Sequence, residues 1–321
     1  MKILITGATG LFGSHLAKTF AHLGEIHALA REGANKRLLG SLKNDIIWHE
    51  GDINDIITLE EALEGKDLVI HSAGLVSFQP KDSQKLMQVN VKGTENLVNA
   101  MLDGGIKKLI HISSVAALGR NPELNTLDEE HKWIDSDWNT PYAISKHYAD
   151  LEVWRGVQEG LKAMLFYPSI LMGKLSYQRS STQIYDYILD GNSYYPKGKV
   201  NYIDVRDASE LVFQLFQNNQ WNQGFILNKE ALSYRLFFEK MAESLGKKAP
   251  HKEVKNWMLE FALFFSSLTR KLGLSKSPLN RQTAMLSQLE IEMDNSKVMR
   301  TLNFEYRTLA ETLEWANSND S

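Results

Sequence analysis

The sequence predicts an α/β protein: a doubly wound parallel sheet with a smaller, partly interleaved C-terminal lobe. Three observations predict it. Short apolar runs alternate with helical patterns through the first half of the 321 residues. Those runs lack polar alternation, as do strands covered on both faces. A glycine-rich turn follows the first run and opens the first helical pattern. Alternation of this kind implies parallel order with right-handed crossovers.

Taken in order, "KILITG" is the first strand and "SHLAKTFAHLG" an amphipathic helix that Gly24 stops. "EIHALAR" and "DIIWHEGD" are strands, and "TLEEALEG" is a helix ended by Gly65. "DLVIHSAG" is a strand, and "SQKLMQVNVKGTENLVNAMLDGG" one long helix. "IKKLIHISS", "TPYAISKHYADLEVWRGVQEG" and "KAMLFYPSI" give strand, helix and strand. After Ile170 the regularity breaks: residues 171–199 mix aromatics, Gly and Pro without a period. "VNYIDVRDASELVFQLFQ" and "GFILN" return to the earlier style, and 231–321 read as helical with breaks at "PHKE" and "LSKSPLNR". The expected division is 1–170 plus 200–230 as one domain and 171–199 plus 231–321 as a second lobe.

Composition narrows the function classes. A net charge of −3 gives no bulk attraction to nucleic acid, so an anion site must be local. The chain has no cysteine, which excludes disulfides and thiolate chemistry. The nine histidines show no paired ligand spacing, so no catalytic metal is expected. Lys2 is followed by only "ILI" before the glycines, too short for an apolar targeting core. A cytoplasmic protein is expected. The greasiest stretch, Trp257–Leu268, is about half of the roughly 20 residues a bilayer span needs and is interrupted by Glu260. It reads as a helix in a pocket wall or interface, with a membrane-surface helix as the alternative.

Gly7, Gly10 and Gly13 stand three apart between the first strand and the first helix. Gly7 permits the tight turn, Gly10 lets backbone approach a pyrophosphate, and Gly13 lets helix pack on strand. The helix N-terminus offers N–H donors and partial positive charge. At the end of the second strand, an acidic residue would hold a ribose 2′-hydroxyl. Arg31, Lys36 and Arg37 occupy this neighbourhood instead. They suit a 2′-phosphate, so NADP(H) is expected in preference to NAD(H).

Tyr-x-x-x-Lys occurs twice. In Tyr195–Lys199 the intervening Pro196 and Gly198 forbid a regular helix. In Tyr142–Lys146, Thr140 is an N-cap, Pro141 fits the first turn, and the pair shares one helical face. A cation one turn away is expected to lower the phenol pKa toward usefulness. Ser113 and Ser114 end a strand about thirty residues earlier, pointing into the crevice where doubly wound folds bind ligands.

"TGATGLFG", "GDINDI", "HSAG", "VNVKGTENLV", "ISSVAALG", "YAISK", "YPSILMG" and "IDVRDAS" occur in an order and spacing that resembles the extended short-chain dehydrogenase/reductase superfamily, of the NAD-dependent epimerase/dehydratase type. The resemblance runs from residue 1 to about 228. It implies a Rossmann-type dinucleotide-binding domain and a substrate lobe. It makes Tyr142 the general acid–base. Lys146 holds the nicotinamide ribose and Ser114 polarises the reacting carbonyl. Gly7, Gly10, Leu11, Phe12 and Gly13 line the pyrophosphate, and Asp52 and Ile53 sit at the adenine. Ala73 and Gly74 lie beneath the cofactor, Pro168 and Ile170 near the nicotinamide, and Asn90 close by. It also implies a homodimer through the helices containing Asn90–Asn99 and Tyr142–Trp154.

Two departures point to a branch. Val115 and Ala116 stand where sugar-nucleotide dehydratases place an Asp–Glu pair, and Ile170 where many sugar-nucleotide epimerases carry Asn. The chain looks more like dihydroflavonol-4-reductases and 3β-hydroxysteroid dehydrogenases. The second lobe offers Leu175, Tyr177, Tyr185, Tyr187, Tyr194, Tyr195 and the Trp257–Leu268 run as apolar surface for a small carbonyl or alcohol substrate without a diphosphate. The readings in play are a hydride-transferring reductase, a nucleotide-sugar epimerase using the same Tyr142, and a non-catalytic nucleotide sensor on the same fold.

Overall fold

Alternate residues of each central strand enter different cores. On the strand Lys2–Thr6, Ile3 and Ile5 pack into one apolar cluster and Leu4 into another. In Leu68–His71, Leu68 and Ile70 face the first cluster and Val69 the second. The strand Lys162–Pro168 divides Met164 and Phe166 from Ala163 and Leu165 in the same way. An unbroken apolar run therefore encodes a sheet with helices on both sides. Burying a single side chain such as Phe166 contributes about 1.5–3 kcal/mol.

The computed structural model describes residues 1–121, 123–174, 183–255, 258 and 281–318. The first half runs β1 (Lys2–Thr6), α1 (Leu11–Phe20), β2 (Glu25–Ala30), β3 (Ile47–Glu50), α2 (Ile56–Leu63), β4 (Leu68–His71), α3 (Ser83–Leu86), α4 (Gly93–Asp103), β5 (Lys108–Ile112), β6 (Thr126–Leu127) and α5 (Pro141–Gln158). Then come β7 (Lys162–Pro168), β8 (Ile170–Met172), α6 (Gln183–Leu189), β9 (Tyr194–Tyr195), β10 (Lys199–Asp204), α7 (Val205–Gln217), β11 (Gln223–Leu227), β12 (Glu230–Ser233) and α8 (Tyr234–Ser244). The chain closes with β13 (Lys252–Glu253), α9 (Arg281–Leu286), β14 (Glu292–Met293), α10 (Ser296–Thr301) and α11 (Leu309–Asn317).

The large sheet has seven strands in the order β11-β7-β5-β4-β1-β2-β3. Every pairing in it is parallel. It is the doubly wound, Rossmann-type sheet that the alternating pattern predicts. Its strand order reverses at β1 and β4, the place where such sheets bind ligands at the carboxyl ends of their strands. A smaller sheet, β12-β10-β8, pairs β10 parallel to β8 and antiparallel to β12. Of the stretch 200–230, α7 and β11 complete the large layer and β10 joins the small sheet. A third core, with Tyr185, Tyr202, Phe237 and Leu313, lies beneath it.

Two local expectations differ from the structure. The long helix at 83–103 is not uniform: Met87–Lys92 form a wider π-type turn between α3 and α4. Residues 231–321 are not helical throughout, because β12 and β14 pair with β10 and β6. The run Trp257–Leu268 lies, Met258 excepted, outside the described residues, as do Leu175 and Tyr177. Among the described residues no helix is long and apolar enough to cross a membrane.

Candidate active site

The β1–α1 turn is built by close backbone approach. Gly7 has φ +73°, and a Cβ there would stand 2.6 Å from the backbone of Ser72 and Ala73. A Cβ on Gly13 would stand 2.1 Å from the Gly7 carbonyl oxygen. Gly10 N–H donates to that same oxygen at 2.9 Å and precedes α1 without a side-chain cap. Gly10, Leu11, Phe12 and Gly13 border a cavity of about 850 Å³. Small residues and uncapped N–H groups at a helix start fit a pyrophosphate.

The remaining predicted cofactor residues fall into two groups. Ala73, Gly74, Pro168 and Ile170 border the cavity. Ala73 N–H donates to Thr6 Oγ1 at 3.3 Å. Arg31, Lys36, Arg37, Asp52 and Ile53 lie away from it, beyond the carboxyl ends of β2 and β3. Arg31 is exposed, and Lys36 Nζ lies 3.9 Å from the centre of the Trp48 ring. Arg37 N–H donates to Asn35 Oδ1. Asp52 Oδ1 accepts from Asn54 N–H and Nδ2, which shapes the turn after β3. Ile53 is buried against Gly93, where a Cβ would come within 2.8 Å of it.

Ser114, Tyr142 and Lys146 border the same cavity. β5 delivers the serine. α5 delivers the other two from an N-terminus capped by Thr140 Oγ1, which accepts from Ala143 N–H at 3.1 Å. The Tyr142 ring meets Phe78 edge to face, 5.8 Å between centres. Lys146 is buried and its Nζ donates to the Ile112 carbonyl at 2.8 Å. Burial pushes the Tyr142 phenol up to about 12, against a lowering by its hydrogen bond with Ser114 and a further rise from the Asp150 charge. Burial brings Lys146 down to about 8, with Asp150 opposing. The expected lowering of the phenol by Lys146 is not found: desolvation raises it, and the one opposing influence is the hydrogen bond with Ser114.

A buried polar layer supports these groups, and sequence reasoning passed over most of it. Asp150 is one turn beyond Lys146 on α5. Its Oδ2 accepts from Ser113 Oγ at 2.8 Å, and its Oδ1 lies 3.2 Å from His111 Nε2. Burial raises the Asp150 carboxyl to about 7. Burial holds His71 and His111 neutral, well below the ordinary imidazole range. His71 bridges Thr6 Oγ1 at 2.7 Å and Thr94 Oγ1 at 3.0 Å. Asn90 Oδ1 accepts from Leu75 N–H, and its Nδ2 donates to Leu75 O and Ser145 Oγ. It fastens the loop holding Ala73 and Gly74 to α5. The i, i+4, i+8 spacing of Tyr142, Lys146 and Asp150 was the available signal.

The second Tyr-x-x-x-Lys does not form a pair of this kind. Tyr195 lies on β9 and Lys199 on β10, where Lys199 Nζ meets Glu292 Oε1 at 2.5 Å. The aromatic wall is also made differently from the expectation. Tyr185 is core, Tyr187 donates to the Tyr194 carbonyl, and neither these two nor Tyr194 and Tyr195 border the cavity. Phe78, Trp138, Tyr234, Leu289, Ile291 and Met293 do. They come from loops, the short strand β14 and the first residue of α8, with no period to announce them.

Known proteins match this arrangement over nearly its whole length. A protein of Synechocystis sp. named as a dihydroflavonol 4-reductase is 27% identical, covering 97% of this chain and 93% of its own. Sterol demethylase protein B of Methylococcus capsulatus is 25% identical, covering 94% and 93%. The solved structure of gox2253 superposes with a TM-score of 0.83 at 26% identity, covering 98% of this chain and 96% of the other. The family model matches residues 3–228, from β1 to the end of β11, and the chain belongs to the NAD dependent epimerase/dehydratase family.

Proposed function

We propose that the chain is an NADPH-dependent reductase of a small apolar or aromatic carbonyl compound, working reversibly on the corresponding alcohol. The observation that carries this reading is that one cavity is bordered by the glycine turn and by Ser114, Tyr142 and Lys146 together. Residues 1–170 and 200–230 serve the dinucleotide, and 171–199 and 231–321 the substrate, with β10 joining the two through the small sheet.

NADPH, when bound, supplies the hydride. Tyr142 gives its phenolic proton to the substrate oxygen, and Ser114 Oγ hydrogen-bonds that oxygen as negative charge develops. The Lys146 ammonium stabilises the phenolate left behind. Asp150, bonded by Ser113 and facing Lys146, favours the charged ammonium. Arg31, Lys36 and Arg37 favour a 2′-phosphate. Val115 and Ala116 supply no carboxylate for water elimination, and Ile170 supplies no amide for a nucleotide-sugar. The relative of Synechocystis sp., named as a reductase, supports the same branch. Tyr148 and Leu151, each 46% exposed on α5, suit the face on which a second copy would pack.

A panel of aldehydes and ketones with NADPH, followed by absorbance, tests the reading. Stoichiometric NADPH oxidation by an apolar carbonyl compound is expected. No oxidation across the panel, with tight binding of UDP and turnover of a UDP-sugar without net cofactor consumption, would replace it with an epimerase.

A further inference from the structure

Resting on the reductase reading and narrowing its substrate class, we infer that Arg120 is a specificity-determining residue that receives an oxyanion, a carboxylate or a phosphate, carried by an otherwise apolar or aromatic carbonyl substrate. Arg120 follows the short helical turn Val115–Leu118 that begins at Ser114. Its backbone N–H donates to Asn139 Oδ1 at 3.1 Å, and its carbonyl accepts from Ser136 Oγ at 3.3 Å. The side chain is anchored as well: Nη1 donates to Val115 O at 2.9 Å and to Gly119 O at 2.8 Å. Guanidinium carries five N–H donors in a fixed fork. These two bonds use Nη1 and leave Nη2 and Nε, the pair of nitrogens on one edge suited to a bidentate oxyanion.

Among the described residues no hydrogen bond is made by that edge. The cavity's described wall contains three cations, Arg120, Lys146 and Lys199, and no Asp or Glu. Lys199 is already paired with Glu292, and Lys146 is bonded to Ile112 O in the polar layer that includes Asp150. Among the described residues no carboxylate lies within ion-pair distance of Arg120. Its surroundings bring the guanidinium down to about 10 by burial alone, so it remains charged at neutral pH. Arg120 is half-buried at the cavity wall, and a guanidinium held there without a counter-ion favours an incoming anion. Ser114 and Arg120 hang on the same turn, since Ser114 Oγ accepts from Ala116 N–H and Arg120 Nη1 bonds the neighbouring Val115 carbonyl. The spacing between reacting carbonyl and anion is therefore fixed by the turn, and Phe78 and Trp138 border the same cavity.

The test is calorimetric binding to the full-length protein loaded with NADP⁺, using benzaldehyde, the 2-, 3- and 4-carboxybenzaldehydes and 4-formylphenyl phosphate. Kinetics with NADPH are run in parallel. At least one anionic probe should bind about 10–100-fold more tightly than benzaldehyde, the range of a charge-assisted bidentate contact. Arg120→Gln should collapse that ratio, and Arg120→Lys should retain part of it. Kinetically, the anionic-to-neutral ratio of kcat/KM should fall through KM. Preference among the probes identifies carboxylate or phosphate. Absence of anion preference in the unaltered protein overturns the inference whether or not the variants fold. So does a preference that Arg120→Gln preserves, or equal losses for neutral and anionic probes, which would make Arg120 a clamp of the turn. Anion-selective binding without NADPH oxidation would leave Arg120 in its role and refute the reductase reading.

Discussion

Lys146→Met is expected to stabilise the cofactor-free protein at pH 7. Burial holds the Lys146 ammonium at about 8, against an ordinary value of 10.5. At about 1.36 kcal/mol per pH unit, charging it in the folded chain costs about 3 kcal/mol. A methionine keeps most of the stem but loses the bond to Ile112 O, worth about 1 kcal/mol. Asp150, near 7 already, takes up a proton once its neighbour is gone. The net gain is about 1–2 kcal/mol, a rise of about 2–3 °C in Tm for a chain of this size. The sign follows from linkage: a base with a depressed folded pKa is unfavourable in full below about pH 8. The cost fades as pH rises and is gone above 10.5, where both states are neutral. The variant should therefore be more stable than the parent at pH 7 and slightly less stable at pH 10.5, by thermal or urea unfolding across that range. No gain at pH 7, or a gain that does not shrink between pH 8 and 10.5, would refute the reasoning.

Tyr142→Phe should abolish carbonyl reduction and leave NADPH affinity within about twofold by fluorescence titration. Tyr195→Phe, at the unpaired copy of the motif, should cost far less. Arg31→Asp should weaken NADPH and spare NADH, read as the ratio of their dissociation constants; an unchanged ratio would remove the loop from cofactor selection. Gly13→Ala should destabilise the fold by about 1–3 kcal/mol and weaken cofactor binding, because the added carbon would stand 2.1 Å from Gly7 O. Light scattering at micromolar concentration should give a dimer, reduced to monomer by Tyr148→Glu with Leu151→Glu on the exposed side of α5.

The large sheet was legible because full burial leaves a plain mark: β1, β4, β5 and β7 are apolar on both faces. The glycine turn and the Tyr142–Lys146 pair were legible because their spacing is set by local geometry. What the sequence concealed depends on contacts across long separations. β10 looks like one more strand of the large sheet, and only its pairing with β8 and β12 sends it elsewhere. Asn90 becomes a clamp only when Leu75 and Ser145 come to it. Arg120 sits in "LGRNP" with no periodicity, and its place at the cavity wall depends on its bonds to Val115 O and Gly119 O. Tyr185 shows the opposite failure: an aromatic in an irregular stretch resembles a pocket wall, yet it fills a core.

The polar fastening of α5 has an evolutionary consequence. Ser145 ties this helix through Asn90 to the loop after β4, Lys146 and Asp150 tie it to Ile112 and Ser113 at the end of β5, and Thr140 caps its start. A one-residue insertion between Tyr142 and Asp150 would turn one set of side chains about 100° relative to the other. The groups proposed to react thus tolerate little drift. The parts of the cavity wall drawn from Arg120, Trp138 and the stretch 286–293 carry none of those ties. Loop exchange there can recruit a new substrate while proton transfer stays as it is, so that descendants of one such chain can diversify in what they accept long before they diversify in what they do.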